Sequence, residues 1–497
     1  MRQDFWEAAL AALAVGAAAC EPVAPPPGRL TETAPDGPSL PLPTAAPASS
    51  AAATDRDADP SGGLEIASIA MRTWVYAEPD ERANKLGYLR AGAVVARGAE
   101  PAGTAGCAGG WYRVAPRGYV CVGKGAALEL DHPVVQAARS EPRRGEPLPY
   151  RYVISRSPPP HLYCRLPSQE EQASAEGERR ERSIAAFTTL RSAFEPPDPI
   201  PAFLQRGDTL PKPYGADTGL AYRAHRGRAR PESAFGLGAV YEWTGRLLGL
   251  TTELDLIPVD RTRPAPASKL RGVSVAGEGV PAFVAQHGVS TYRQGERGRF
   301  EPAGEAPYRS GWVLTGRNNG SERGLLETAQ GAWLPYATLR IAKKREDPAG
   351  FARDGQKWID VSVRQQMLVA YEGARPVFAA LVSTGRGELG DPEKTHATVR
   401  GTFMIHAKHV TATMDGDQAG DDAFDLRDVP YVQYFYEGFA LHGAYWHDEL
   451  GKVRSHGCIN LAPADAAWLF EWTEPVVPRG WHGAQNPNYG TLVYVHR

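Results

Sequence analysis

A cysteine and a histidine near the C-terminus are spaced in a way that suits acyl transfer. The string S-H-G-C occupies residues 455–458, and His442 lies sixteen residues before Cys458. Cysteine is a strong nucleophile as a thiolate, and a nearby imidazole is the usual group that takes its proton. A histidine this far upstream can lie on a neighbouring strand, while Gly457 allows a tight turn whose N–H groups can bind an oxyanion. We therefore predict Cys458 as the nucleophile and His442 as the general acid and base.

Other residues of these strings are expected to shape the site. Ser455 and His456 are expected to set the turn and its hydrogen bonds, with a direct chemical role as the alternative. Gly443 follows His442, so a backbone carbonyl is expected to orient the imidazole, since glycine offers no hydroxyl. A thiol paired with an imidazole is also expected to have a pKa below its free value.

The complete pattern, H-G followed by S-H-G-C-[IVL]-[RN], resembles the signature of the L,D-transpeptidases, whose YkuD-like catalytic domains remodel bacterial peptidoglycan. Residues 382–385 (V-S-T-G) match a second family element, and residues 398–405 match a third in part, without its proline. The resemblance covers residues 356–497 and implies a β-rich fold with a short helix that begins near Pro463. Asn460 stands where many relatives have arginine, which is a difference of subtype.

The resemblance implies a reaction on the tetrapeptide stems of peptidoglycan. Cys458 would attack the carbonyl of the third residue, D-alanine would leave after protonation by His442, and the thioester would pass to an acceptor. The acceptor stays open: a diamino residue of another stem, a lysine of an acceptor lipoprotein, or water, which would make the enzyme an L,D-carboxypeptidase. The implied chemistry needs no metal and no organic cofactor.

Other functions compete with this prediction. A non-catalytic cell-wall-binding scaffold would fit the missing proline and Asn460, but a decayed site has no reason to keep both His442 and Cys458. A cysteine hydrolase of the amidase type usually has its cysteine before its histidine, which is the reverse of the order here. A zinc site is a further alternative, but the spacing of its ligands matches no common zinc motif. Those ligands would be His442, His447, His456 and Cys458.

Composition limits the class of protein. At 497 residues the chain is long enough for about three or four domains, and 42% hydrophobic residues are enough for folded cores. The formal net charge of -2 gives no basic field for nucleic acid. The 53 glycines and 43 prolines favour many short strands over long helices. We therefore predict a mainly β, multi-domain protein.

The N-terminus has features of an exported lipoprotein. The apolar run of residues 8–19 has the length of a signal peptide and is too short to span a bilayer. It ends at Cys20, and residues 17–20 resemble a lipoprotein cleavage site, so residues 1–20 are predicted as a signal peptide with Cys20 lipidated. An ordinary secreted protein and a cytosolic helix are the alternatives. Residues 21–63 are too rich in proline and alanine to fold and are predicted to be a disordered tether. We expect a protein of the cell envelope, on the periplasmic side, held at a membrane only through its lipid.

Small β modules are predicted between the tether and the catalytic domain. Residues 64–130 have short strand-like pieces and the string W-Y-R-V at 111–114, and they resemble the bacterial SH3-like module. Residues 131–204 are predicted to be a linker or mixed region. Residues 205–345 are predicted to form one or two further SH3-like or irregular β modules.

The cysteines and the modules lead to two further expectations. Cys107 and Cys121 flank the Trp111 strand, and in an oxidising compartment we expect a disulfide between them, with two unpaired thiols as the alternative. The modules carry no nucleophile–base pair, so we expect them to bind the wall. A chain that begins near Gly350 is then expected to turn over soluble tetrapeptide donors by itself.

Overall fold

The computed structural model describes residues 63–138, 141–187, 190–216, 219, 221–321, 323–343, 345, 350–351, 355–415 and 425–497. The predicted signal peptide with Cys20, and all of the predicted tether except Gly63, lie outside these residues. The described part is mainly β and has several sheets, which confirms the predicted fold class. Within it, none of the helices combines the length and the apolar character needed to cross a membrane.

The first β unit consists of seven short strands. They are β1 (Glu65–Ser68), β2 (Thr73–Tyr76), β3 (Lys85–Leu89), β4 (Val94–Ala96), β5 (Trp111–Arg113), β6 (Tyr119–Cys121) and β7 (Ala126–Ala127). Strand β1 lies between β4 and β7 in one sheet, and β5, β6, β2 and β3 follow one another in a second. A disulfide joins Cys107 to Cys121 beside the fully buried Trp111. The SH3-like character of this unit stays a prediction.

The second β unit combines strands from both sides of a helical segment. Its elements are α1 (Pro133–Ala137), β8 (Arg151–Ser155), β9 (His161–Tyr163), α2 (Gln169–Glu176), α3 (Arg179–Ala186), a 3-10 turn (Arg191–Phe194), α4 (Ala202–Gln205), β10 (His225–Arg228), β11 (Ala234–Trp243), β12 (Arg246–Thr251), β13 (Leu256–Pro258), a 3-10 turn (Val259–Arg261) and β14 (Thr262–Pro264). The strands pair in the order β14, β8, β11, β12, β13, β9, β10. Residues 131–204 therefore supply β8 and β9 to a sheet, which a plain linker would not do.

The third β unit follows β15 (Val273–Ser274) and is a seven-stranded sheet. Its elements are β16 (Val280–Val284), β17 (Val289–Gln294), a 3-10 turn (Glu296–Gly298), β18 (Phe300–Ala306), β19 (Gly311–Asn318), β20 (Leu325–Thr328), β21 (Trp333–Pro335), a 3-10 turn (Tyr336–Thr338) and β22 (Leu339–Ile341). The strand order is β18, β17, β21, β20, β19, β16, β22.

The C-terminal unit carries the predicted site. Its elements are β23 (Lys357–Ser362), β24 (Met367–Glu372), β25 (Arg375–Ser383), β26 (Gly401–Met404), β27 (Ala407–Asp415), β28 (Asp425–Tyr436), β29 (Phe439–Gly443), β30 (Ile459–Leu461), α5 (Pro463–Trp472), β31 (Gly483–Gln485) and β32 (Leu492–His496). The strands pair in the order β26, β32, β23, β24, β25, β30, β29, β28, β27, β31. Helix α5 begins at Pro463, whose fixed φ and missing N–H suit a first helical position, as predicted.

Strand pairing and buried side chains join the upstream units to the C-terminal unit. Strand β3 pairs with β31, β11 with β28, and β15 with β25. The guanidinium of Arg90 in the first unit lies 2.7 Å from the carboxylate of Asp428 on β28. Tyr152 on β8 stacks on Tyr445, with ring centroids 4.3 Å apart, in a shared apolar cluster. The upstream units therefore pack against the C-terminal unit and are not independent domains joined by linkers.

Candidate active site

The predicted nucleophile and base lie on neighbouring parallel strands. His442 is the next-to-last residue of β29, Cys458 directly precedes β30, and His442 is paired with Asn460 in the register. Side chains alternate along a strand, so Cys458, Asn460 and His442 point to one face of the sheet. Cys458 and His442 are diagonal neighbours there. The Cα atoms of diagonal neighbours are separated by roughly 7–8 Å, a distance that an imidazole side chain can bridge.

His442 is buried and neutral at physiological pH. Its Nδ1 lies 3.2 Å from the carbonyl oxygen of Gly443, the backbone partner expected from the sequence. With the Nδ1 proton donated to that carbonyl, the lone pair of the imidazole is on Nε2. Burial lowers the pKa of His442 to about 4, and the hydrogen bond to Gly443 opposes this shift only weakly. The imidazole is therefore available as a base that accepts a proton during a reaction.

Cys458 is a free, half-buried thiol. Its Sγ lies 3.7 Å from the carbonyl oxygen of Gly438. Burial raises the pKa of the thiol to about 11, against an opposite and smaller effect of a backbone hydrogen bond from Ala440. The expectation of a lowered pKa is wrong for this structure, because the neutral His442 supplies no positive charge to stabilise a thiolate.

The turn that presents the nucleophile is closed by Ser455. Its Oγ accepts a hydrogen bond from the Gly457 N–H at 3.1 Å and donates to the carbonyl oxygen of Cys458. Gly457 has a φ of +126°, and a Cβ at this position would lie 2.8 Å from a ring carbon of Phe439. Glycine is therefore required here both by conformation and by space.

The second and third sequence motifs hold this turn from the other side. The carbonyl oxygen of Thr384 accepts a hydrogen bond from the Ser455 N–H at 3.0 Å. The hydroxyl of Thr398 donates to the carbonyl oxygen of Gly457 at 2.7 Å and accepts from the Gly385 N–H at 2.8 Å. The sequence identified these motifs but gave them no role; the structure shows them supporting the cysteine turn.

Asn460 is buried and contacts His447, which the sequence had placed only in a zinc alternative. Nδ1 of His447 accepts a hydrogen bond from the Glu449 N–H at 3.1 Å, and burial lowers the pKa of His447 to about 4, so the neutral ring carries its proton on Nε2. Nε2 lies 2.9 Å from the Asn460 side-chain amide, which must therefore turn its oxygen to the ring. The NH2 group of Asn460 then takes the position that has no hydrogen-bond partner among the described residues. It is a hydrogen-bond donor in the lining of the cavity.

The remaining predicted residues pack around the site. His456 is exposed, and its ring meets His396 edge-on, with centroids 4.7 Å apart. A Cβ on Gly443 would lie 3.3 Å from Ala466, so glycine lets the end of β29 approach α5. Across the described ranges, no group of three or more His, Cys, Asp and Glu side chains is arranged to hold a metal ion.

Cys458 and His442 open into a cavity of about 660 Å³ that the C-terminal unit does not form by itself. Three upstream residues line it together with the site: Ile154, Glu232 and Arg263. Sequence reasoning missed all three, since they belong to no motif and lie about two hundred residues or more before the cysteine. The pairing of β11 with β28 and the stacking of Tyr152 on Tyr445 bring them here.

Together, fold and site define a β-rich domain with a cysteine and a histidine on adjacent strands. The family model of the L,D-transpeptidase catalytic domain, YkuD, matches residues 356–495. The chain is 27% identical over 125 residues to a putative L,D-transpeptidase YciB of Bacillus subtilis, covering 23% of this chain and 59% of that protein. It is 33% identical over 98 residues to L,D-transpeptidase 1 of Mycobacterium tuberculosis, covering 18% of this chain and 38% of that protein.

One solved structure of this kind is also similar to part of the chain. The catalytic domain of the E. faecium L,D-transpeptidase is 23% identical, with 29% of this chain and 99% of that domain covered and a TM-score of 0.22. The chain spans less than two thirds of the length of each of the two sequence relatives. The family match supports the resemblance read from the motifs, for residues 356–495 of this chain.

Proposed function

We propose that this protein is a cysteine-dependent L,D-transpeptidase that acts on peptidoglycan stem peptides, with Cys458 as nucleophile and His442 as general acid and base. The observation that carries the proposal is the placement of these two side chains on one face of adjacent strands, at an open cavity. The family match over residues 356–495 supports the reaction class.

The reaction begins from a neutral thiol and a neutral imidazole. As Sγ of Cys458 bonds to the carbonyl carbon of the third stem residue, its proton passes to Nε2 of His442. The carbonyl becomes an oxyanion, and the Cys458 backbone N–H, which has no hydrogen-bond partner in the described part of the chain, is placed to stabilise it. The C–N bond then breaks, and the His442 proton goes to the amine of the departing D-alanine.

The second half of the reaction reverses these roles. An acceptor amine loses a proton to His442 and attacks the thioester, and the thiol regains that proton when the C–S bond breaks. A diamino residue of another stem gives a cross-link, a lipoprotein lysine gives a protein attachment, and water gives the carboxypeptidase reaction. The placement at the cell envelope, through the lipid on Cys20, belongs to the same proposal.

Mass spectrometry of purified sacculi and soluble tetrapeptides after incubation with the protein tests the proposal. Cys458→Ala should abolish D-alanine release, because it removes the nucleophile and little volume. Cys164→Ala is the matched control, because Cys164 is the other free cysteine of the described residues and is buried directly after β9 in the second unit. Carbapenems should acylate the wild type and the control once, on the peptide of residues 455–458, and leave Cys458→Ala unmodified.

The products also separate the alternatives. D-alanine release without cross-links or protein attachment would identify an L,D-carboxypeptidase. Binding to sacculi with no release and no carbapenem adduct would identify a non-catalytic scaffold. Release by Cys458→Ala at the wild-type rate would refute the assignment of the nucleophile.

A further inference from the structure

One wall of the Cys458 cavity comes from the second β unit. Arg263 on β14 and Ile154 on β8 are partners in the register of these strands, and both line the cavity. Strand β8 pairs with β11, and Ala234 at the start of β11 pairs with Leu426 of β28. Backbone pairing therefore fixes this wall to the C-terminal unit, and Arg263 occupies a defined place in the lining of the cavity.

Arg263 differs from neighbouring arginines in having no acidic partner. Arg454 is paired with Glu449, and Arg427 is paired with Asp425 at 3.3 Å. Within the described ranges, the side chain of Arg263 makes no hydrogen bond and no ion pair, and it is exposed where it lines the cavity. An arginine that serves the fold is usually paired; this one is available to a ligand.

The lining of the cavity carries more basic than acidic side chains. Arg263, Arg386 and Arg454 line it, and Glu232 is the one acidic residue among the described residues that do so, although Arg454 is already paired with Glu449. A guanidinium presents a planar fork of donors that matches a carboxylate with two parallel hydrogen bonds. The chemistry of the wall therefore suits a peptide carboxylate better than a neutral or cationic group.

We propose that Arg263 is a specificity-determining residue that binds a carboxylate of the peptide reacting at Cys458. This rests on the proposed function, in which the substrate is a stem peptide. A tetrapeptide stem ends in the carboxylate of D-alanine and carries a second carboxylate on its diamino residue. Arg263 holds one of these two groups, so the second β unit selects the peptide while the C-terminal unit performs the chemistry.

A first experiment measures the electrostatic effect of Arg263 on the approach of an anion to Cys458, and it needs no turnover. Cys458 is alkylated with anionic iodoacetate and with neutral iodoacetamide, and the modified peptide is quantified by mass spectrometry. Arg263→Gln should lower the iodoacetate-to-iodoacetamide rate ratio about threefold at low salt, and added salt should shrink this difference. Arg228→Gln is the matched control, since Arg228 is an exposed arginine on β10, at the opposite edge of the same sheet; its ratio should equal that of the wild type.

A second experiment uses tetrapeptide donors in which one or the other carboxylate is amidated. Arg263→Gln should raise KM for the unmodified donor about tenfold with kcat within about twofold. Amidation of the bound carboxylate should raise the wild-type KM equally and remove the effect of the substitution, which identifies the carboxylate. Circular dichroism should be unchanged, since the side chain is exposed.

The two experiments distinguish a failure of the role of Arg263 from a failure of the proposed function. An unchanged alkylation ratio together with an unchanged KM overturns the role of Arg263. If the wild type turns over no stem peptide, the proposed function fails, and the alkylation ratio alone decides whether Arg263 attracts a carboxylate to Cys458.

Discussion

The protonation state of the Cys458–His442 pair can be worked out from its surroundings. The pKa of the thiol is about 11 and that of the imidazole about 4. Moving the proton from sulfur to nitrogen therefore costs about 10 kcal/mol before the two charges attract each other. Two unit charges brought to about 4 Å at an effective dielectric constant near 20 attract each other by about 4 kcal/mol. The ion pair then lies about 6 kcal/mol above the neutral pair, so the resting site holds a thiol.

Alkylation by iodoacetamide between pH 6 and pH 10.5 measures this state. The rate at Cys458 should rise nearly tenfold per pH unit up to about pH 10, because the thiolate fraction grows in that way below a pKa of about 11. At pH 8 the rate should be about 100-fold below that of a thiol with a pKa of 9.0, the ordinary value.

His442→Ala separates this account from one based on a resting ion pair. With a neutral pair, the substitution changes the alkylation curve by less than about threefold, while turnover falls by about 10²–10⁴-fold because the general base is lost. A wild-type plateau with an apparent pKa below 8 that disappears in His442→Ala would refute the reasoning, since only a stable imidazolium could produce it.

Three further substitutions test other parts of the structure. Burial raises the pKa of Asp465 to about 7, so this carboxyl lowers the free energy of unfolding progressively as pH rises from about 4 to above 7. Asp465→Asn should therefore raise the free energy of unfolding, measured in urea, by about 4 kcal/mol at pH 8 and by about 1.5 kcal/mol at pH 5. Gly457→Ala would press a Cβ on Phe439 and should lower kcat about 100-fold with an unchanged circular dichroism spectrum; a wild-type kcat would contradict the role of this turn. Arg90→Ala leaves the buried Asp428 without its cation and should destabilise the protein by about 3–5 kcal/mol, with partial recovery when Asp428→Asn is added; equal losses in single and double variants would contradict this pairing.

The candidate site residues could be named from the sequence because short-range patterns specify them. The S-H-G-C turn, its glycine with positive φ and the proline that opens α5 are all local features of the chain. The V-S-T-G string and Thr398 were identified by resemblance. Their role, hydrogen bonds to the nucleophile turn, depends on the antiparallel pairing of β25 with β30 and could not be read from spacing.

What the sequence could not predict depends on burial and on long-range pairing. The pKa of Cys458 was expected to fall, but desolvation raises it, and no sequence pattern reports how deeply a thiol lies. Arg263 and Glu232 line the site although they belong to another β unit. Residues 131–204 gave no clear strand pattern, yet they supply β8, which forms this wall with β14.

The same contacts argue against the expectation that a chain beginning near Gly350 is active alone. Such a chain lacks β3, β11 and β15, the partners of β31, β28 and β25. It would uncover Tyr445 and Trp481, both buried, at about 1.5–3 kcal/mol each. These two losses, about 3–6 kcal/mol together, reach the lower end of the stability of a typical domain, about 5–15 kcal/mol.

We therefore expect the chain from Gly350 to unfold at a lower temperature than the full chain or to aggregate, and to lose turnover on soluble donors. Thermal unfolding, near-ultraviolet circular dichroism and turnover, measured side by side with the full chain, provide the test. A truncated protein with native circular dichroism and the kcat and KM of the full chain would show that the upstream units are merely attached and that Arg263 takes no part in the site. A folded truncated protein with an unchanged kcat and a raised KM would instead place the contribution of the upstream units in peptide binding, which is where the unpaired guanidinium of Arg263 puts it.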